Sequence, residues 1–529
     1  MPAQTTDIFV AGGGVNGVSI ARDAVGRGLT VSLAEMGDLG GATSSASTKL
    51  FHGGLRYLEF FEFGLVRHAL EEREVLLRAM PHISWPMRFV LPYRADMRFD
   101  TETPTSRLLS FVMPWMKGRR PGWVIRLGLF LYDNLGKREL LPGTSTIALR
   151  SAPEGVPLKS SFEKAFEYSD CWVEDARLVS LAARDAAERG AQIMPRTKVV
   201  RARRVDDLWE VVVEETQTGT QKTHFARVFV NAAGPWVGHM IREEIGLPSR
   251  ESVRLVRGSH IVTRKLFDHE KCYFFQGTDG RIIFAIPYER DFTLIGTTDV
   301  EHTGSPSKVF ATQEEQDYLC AFASEYFEKP VTAKDVVWAF SGVRPLYDDG
   351  AKSATAATRD YVLSYDDKGA PILNVFGGKI TTHRKLAEEA VDRIAGAFSK
   401  SGPTWTAGVA LPGGDFAVDG FDALVAALLS DHPYLANDQA HRLVRAYGTD
   451  AAKMLHGCNG IDDLGTGFGA GLHAIEVAWL MAHEFARTAE DIVWRRSKLG
   501  LRMTTDEITA LDAWMADKIA QGADMKAAE

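Results

Sequence analysis

The segment Asp7–Glu35 constrains this chain more than any other. Asp7-Ile8-Phe9-Val10-Ala11 reads as a short buried strand that runs directly into Gly12-Gly13-Gly14. Val15, Val18, Ile20, Ala21, Ala24 and Val25 then recur at helical spacing over Val15–Arg27, with Gly26 and Gly28 as terminators. Leu29–Leu33 reads as a second strand, and Glu35 stands just past its end. Within this unit Gly12-x-Gly14-x-x-Gly17 has the spacing of a dinucleotide fingerprint. Gly12 allows the tight turn, Gly14 the approach of backbone to a pyrophosphate, and Gly17 the close packing of helix on strand, while the helix N-terminus offers free N–H groups to the anion. Glu35, 18 residues after Gly17, is placed to accept hydrogen bonds from ribose hydroxyls, and its charge disfavours a 2′-phosphate. The fingerprint alone does not separate FAD from NAD.

Composition excludes several classes. The chain has 529 residues, enough for roughly two to four domains. With 45% hydrophobic and 25% charged residues it is neither disordered nor fibrous. A formal charge of −8 argues against a general polyanion binder, so no nucleic-acid partner is expected. Cys171, Cys272, Cys320 and Cys458 have no paired spacing, which suits a reducing compartment and predicts no metal site. No secretory or import leader is read at Met1–Asp7, and the uncharged runs Ile8–Ala21 and Val228–Ile241 are too short to span a bilayer. The expectation is a cytoplasmic protein able to touch a membrane surface.

After Glu35 the chain departs from the alternation of an NAD-binding half. Gly40–Tyr57 (GGATSSASTKLFHGGLRY) concentrates small hydroxylated residues. They make a poor core but suit an extended ligand lying along the backbone; on composition alone an ordinary surface loop stands equal to it. Thr197–Val205, Leu208–Glu215 and Gln221–Ala226 read as a three-stranded meander, and Arg227–Ala232 as a separate strand returning to Ala232-Ala233-Gly234-Pro235-Trp236. That is the layout of flavoproteins with a two-dinucleotide fold. Ile372–Phe376 is a further strand entering Gly377-Gly378-Lys379-Ile380-Thr381-Thr382. The helix expected from about Thr382 to Phe398 would point its N-terminus at the flavin.

Several motifs in order carry a family resemblance: Thr43–Tyr57 (TSSASTKLFHGGLRY), Phe166–Asp175 (FEYSDCWVED), Gly258–His260, Ile295–Asp299 (IGTTD), Ser341–Leu346 (SGVRPL), Thr358–Tyr361 (TRDY) and Phe376–Thr382 (FGGKITT). Over nearly its whole length the chain resembles the FAD-dependent glycerol-3-phosphate dehydrogenase family. The resemblance implies oxidation of sn-glycerol 3-phosphate to dihydroxyacetone phosphate by hydride transfer from C2 to FAD N5. Electrons would then pass to a membrane quinone, and the protein would sit peripherally on the inner membrane. It also implies cofactor contacts from Gly12, Gly14, Asn16, Gly17, Glu35, Thr43, Ser44, Ser47, Lys49, Leu50, Gly53, Val199, Ala232, Gly234, Trp236, Gly342, Gly378, Lys379 and Thr381.

Such a reaction removes a hydride and a hydroxyl proton from an alcohol whose phosphate carries nearly two charges, and burying that phosphate requires cations. By resemblance, Arg56 and Tyr57 lie near flavin and substrate, Arg344 and Arg359 contact the substrate, and Lys379 lies between the two. A guanidinium fork suits a phosphate but makes a poor base. The base is therefore assigned to His260 or His52, with Arg344 and Lys379 polarising the alkoxide.

Arg88–Arg138 mixes ten Lys or Arg and four acids with Leu108, Phe111, Trp115, Trp123, Leu127 and Phe130. This pattern fits an anionic membrane interface, or equally a helix whose apolar face is core. The architecture expected is an α/β chain: a discontinuous Rossmann-like FAD domain (1–80, 160–250, 340–400), an interleaved α+β substrate domain on an antiparallel sheet (81–159, 251–339), and a C-terminal helical domain (401–529). A capping box at Thr504–Glu507 opens its last helix, and homodimerisation is a candidate task for it. The rival readings are a glycerol-3-phosphate oxidase using dioxygen, an amino-acid or amine oxidase on the same fold, and a flavin-bound RNA-binding module, which the acidic balance disfavours.

Overall fold

The computed structural model describes residues 5–97, 104–105, 111, 121–136, 138–248, 251–277, 280–348 and 360–521. The opening unit forms as its pattern requires: strand Thr5–Ala11, helix Val15–Gly26 and strand Val31–Ala34. Gly12 holds φ +112°, and a Cβ there would stand 2.4 Å from the Ala232 carbonyl oxygen. A Cβ on Gly17 would stand 1.9 Å from the Gly12 oxygen, which is why helix and strand can pack so closely.

Around this unit, the described residues form a sheet ordered Val362–Asp366, Ile372–Phe376, Gln221–Asn231, Thr5–Ala11, Val31–Ala34, Gln192–Met194. The meander differs from expectation in one respect. Gln221–Asn231 is a single strand rather than two, because its first half pairs antiparallel with Leu208–Glu215 and its second half parallel with Thr5–Ala11. A strand whose partners change midway looks like two strands to any local reading.

The second sheet is mostly antiparallel and carries Ser84–Tyr93, Lys164–Val173, Val253–Arg264, Cys272–Gln276, Ile282–Tyr288, Phe292–Gly296 and Val336–Tyr347. Lys164–Val173 and most of Val336–Tyr347 lie inside the ranges 160–250 and 340–400 expected for the FAD domain, yet they pair in this sheet, with Ser84–Tyr93 and Val253–Arg264 respectively. Apolar alternation marks a strand but not the sheet it joins. Beyond about Gly402 the described residues are mainly helical, with a small hairpin of Gly467–Gly469 and Leu472–His473. Phe421–Asp431, Asn437–Tyr447, Ala474–His483 and Thr505–Ala520 enclose a core of their own. Thr504 and Glu507 make the expected reciprocal cap.

The helix expected from Thr382 to Phe398 is shorter: His383–Ile394 is α-helical and a 3₁₀ turn follows. His383 is buried, and its Nδ1 donates to the Ile380 carbonyl at 2.6 Å. Burial, with Arg384 and Arg22 nearby, pushes this imidazole down to about 4. An unfolded histidine titrates near 6.5, so between these values the unfolded chain binds more protons and stability rises with pH. Chemical denaturation at pH 7 and pH 5 should therefore show His383→Gln losing about 2 kcal/mol less than the parent chain over that interval. Equal losses would mean that the buried ring is not the group titrating.

Candidate functional site

A cleft of about 1840 Å³ runs between the two sheets. Its nucleotide end is built by the opening unit. Glu35 accepts from the backbone N–H of Gly13 at 2.7 Å and of Gly37 at 2.8 Å. Burial pushes its carboxyl above the ordinary range, against the pull of those two bonds. Ser44 Oγ accepts from Val15 N at 3.0 Å, which draws the hydroxyl-rich segment onto the first helix. Asn16 Nδ2 donates to the Gly377 carbonyl at 3.2 Å, while Asn16 Oδ1 is buried without a hydrogen-bond partner among the described residues.

Of the residues expected at a cofactor, Gly12, Gly14, Asn16, Glu35, Thr43, Ser44, Ser47, Leu50, Val199, Ala232, Gly234, Trp236, Gly342, Gly378, Lys379 and Thr381 all line this cleft. Three do not. Gly17 serves the helix packing described above. Lys49 is fully buried and its Nζ bonds Asp175 Oδ1 at 2.6 Å and the Ser45 carbonyl at 3.1 Å. Gly53 gives its N–H to Tyr132 Oη at 2.8 Å.

The expected cations Arg56, Arg344 and Lys379 also line this cleft. Arg344 donates to Asp299 Oδ1 at 3.0 Å and to Thr297 Oγ1 at 3.2 Å. Gly258 makes room for it, since a Cβ there would stand 2.6 Å from Arg344 Nη2. Lys379 Nζ lies 3.9 Å above the centre of the Tyr57 ring. Tyr57 and His52 line the cleft as well. Arg359 lies outside the described residues.

His260 differs from its expected place. It does not line the cleft: its Nε2 meets Thr48 Oγ1 at 3.0 Å, its ring stacks on Phe340 with centroids 4.9 Å apart, and Nδ1 is buried without a hydrogen-bond partner among the described residues. Burial first, then Arg344 and Lys49, push this imidazole well below its usual range, so it is neutral at pH 7.

Residues that local reading missed support this arrangement. Asp175 accepts from Ser47 N at 3.1 Å, Ser47 Oγ at 2.7 Å and Lys49 Nζ. The only sequence signal was its place in the acid pair Glu174-Asp175 after the apolar run Cys171–Val173, inside a motif already noted. Asp299, the last residue of the IGTTD motif, bonds Arg344 across 45 residues, and Glu490, Trp494 and Arg495, which had no local signature, reach the cleft from the C-terminal unit. On the outer surface Trp123, Leu127 and Phe130 of helix Gly122–Leu135 are all more than half exposed, with Phe61 and Phe63 also exposed.

Known proteins share this plan. The family model for FAD dependent oxidoreductases matches residues 7–384, and the model for the C-terminal domain of alpha-glycerophosphate oxidase matches residues 404–521. A glycerol-3-phosphate dehydrogenase of Pseudomonas aeruginosa is 46% identical over 97% of this chain and 95% of its own. The chain belongs to the FAD-dependent glycerol-3-phosphate dehydrogenase family. A D-erythritol 1-phosphate dehydrogenase of Brucella abortus is 48% identical over 97% of this chain and 98% of its own. The structure of a glycerol-3-phosphate dehydrogenase from Bacillus halodurans complexed with FAD shares the fold, with a TM-score of 0.71 at 24% identity over 99% of this chain and 97% of that one.

FAD is the family's cofactor, and the residues present fit it. The cleft is long, its glycines leave no side chain over the first helix N-terminus, and the orphaned Asn16 Oδ1 offers an acceptor beside Gly378. Glu35, the Thr43–Ser47 segment and the end of strand Gln221–Asn231 would hold the nucleotide, and Gly378–Thr381 the ring end. Asp175→Asn should lower unfolding stability by about 3–5 kcal/mol, because it strands the Lys49 charge in the interior. A denaturation midpoint equal to that of the parent chain would show that the anchor is dispensable.

Proposed function

We propose that this chain oxidises a polyol phosphate, sn-glycerol 3-phosphate first among them, to the corresponding ketone phosphate, and that a membrane quinone reoxidises the cofactor. The observation that carries the reading is that Arg344, Arg56 and Lys379 line the same cleft as Gly12, Gly14 and Glu35 of the dinucleotide fingerprint unit. A dianion needs such a cluster, whereas an amino-acid carboxylate needs less. The names of the relatives support the substrate class.

The bound flavin supplies the hydride acceptor. Arg344, oriented by Asp299, presents its planar fork to the phosphate, with Arg56 and Arg359 as further candidates. Lys379 and Tyr57, already in contact, position the hydroxyl and stabilise negative charge on its oxygen. His52, which lines the cleft, takes the hydroxyl proton. Neutral His260 works through the Thr48 hydroxyl, holding that side of the segment in register.

In anaerobic stopped flow, glycerol 3-phosphate should bleach the flavin, His52→Asn should slow that step by about 100-fold, and His260→Asn should slow it less. Bleaching by His52→Asn at the parent rate would remove His52 from the role. The 48% identity to a D-erythritol 1-phosphate dehydrogenase favours a second reading in which the substrate has four carbons. Parallel bleaching with erythritol 1-phosphate decides between them by kcat/KM.

The quinone acceptor and a peripheral place on the cytoplasmic membrane belong to the same proposal. No helix among the described residues is long and apolar enough to cross a membrane. The exposed Trp123, Leu127 and Phe130 stand on one helix face with Arg126 beside them, a pattern suited to the interface of an anionic bilayer. Replacing all three by Glu should weaken sedimentation with anionic liposomes by about tenfold or more, leaving turnover with a soluble dye intact. Undiminished sedimentation would refute this face as the contact.

A further inference from the structure

The C-terminal helical unit meets the cleft at a single turn of π-helix, Asp491–Arg496, flanked by Glu490. Three contacts leave that turn in three directions. Arg496, its side chain fully buried, donates from Nη2 to Asp38 Oδ1 at 2.8 Å, and Arg495 Nε donates to Asp38 Oδ2 at 2.5 Å. Asp491, also buried, accepts from Arg196 Nη2 at 2.7 Å. Arg196 precedes the cleft-lining residues Thr197–Val199, and its own N–H donates to the Gly37 carbonyl at 2.8 Å. Trp494 stacks on Trp338, centroids 4.6 Å apart and planes 22° from parallel, where both rings line the cleft.

The turn therefore grips the segment after Glu35 at Asp38, the edge of the meander at Arg196, and the Arg344 strand at Trp338. The gripped segment, Met36–Ser47, is rich in glycine and small polar residues and has little apolar surface with which to fix itself. Two guanidinium groups also neutralise Asp38, an acid that would otherwise stand beside the nucleotide end of the cleft. We propose that Asp491–Arg496 is a latch that preorganises the FAD-facing segment Met36–Ser47, so that retention of the cofactor is a task of the C-terminal unit. Trp494 and Arg495 are positioning residues in this scheme, since they act through that segment.

The test reads FAD binding rather than turnover. Full-length apoprotein is titrated with FAD by flavin fluorescence, and its melting temperature is measured without FAD. Trp494→Ala and Arg495→Gln, both at half-buried positions, should each raise the FAD Kd about tenfold or more, and Trp494→Phe should restore most of it. Leu511→Ala, in the core of the C-terminal unit and away from the latch, should lower the melting temperature with a Kd near that of the parent chain. The proposal is overturned if Trp494→Ala and Arg495→Gln bind FAD like the parent chain, or if Leu511→Ala weakens FAD as much as they do for the same loss of melting temperature. Should an apoprotein fail to fold, the FAD dissociation rate of the holoprotein is compared instead, and a rate equal to the parent's overturns the proposal.

Discussion

The cleft keeps its shape through a carboxylate that does not line it. Asp175 opens the helix Asp175–Glu188, where the macrodipole favours a negative charge, and it is fully buried against Lys49, the Ser47 hydroxyl and the Ser47 N–H. Two charges taken out of water are tolerable only when each is paired and hydrogen-bonded. Here that condition fixes a stretch of chain that has few apolar side chains to pack. Once Ser47 and Lys49 are set, Ser44 reaches the first helix and Thr48 reaches His260. The ligand-facing surface of the segment follows from an ion pair on its far side.

The electrostatics among the cations of the cleft run the opposite way. Arg344, Arg56 and Lys379 line one cleft of a chain whose net charge is −8. Their mutual repulsion is relieved locally, by Asp299 on Arg344 and by the Tyr57 ring beneath Lys379. Burial first, with the cationic neighbours Arg344 and Lys49, keeps His260 neutral.

How much of this the sequence disclosed depended on range. The unit from Asp7 to Glu35 was legible almost residue by residue, because every constraint on it is local: a turn, a helix period, a ribose acid. The meander strands and Ile372–Phe376 were legible for the same reason. The sheet joined by Lys164–Val173 and Val336–Tyr347 was not, since partner choice depends on residues far away in the chain. Arg344, Arg56 and Lys379 were found through family motifs rather than spacing, and the placement of Lys49 and His260 behind the cleft could not be told from motif membership. A conserved-looking neighbourhood such as Gly258–His260 names residues that matter to the site without saying which of them face it.

One strand connects these scales. Val336–Tyr347 pairs with Val253–Arg264 along nearly its whole length, and its residues Trp338 and Phe340 to Leu346 line the cleft. At about 3.3 Å per residue, Trp338 and Arg344 stand about 20 Å apart. The hydroxyl-rich segment meets this strand beside Arg344, where Thr43 Oγ1 donates to the Val343 carbonyl at 2.6 Å, while Trp338 at the other end stacks on Trp494. A rigid strand can serve both because it fixes their separation, which loops would leave free.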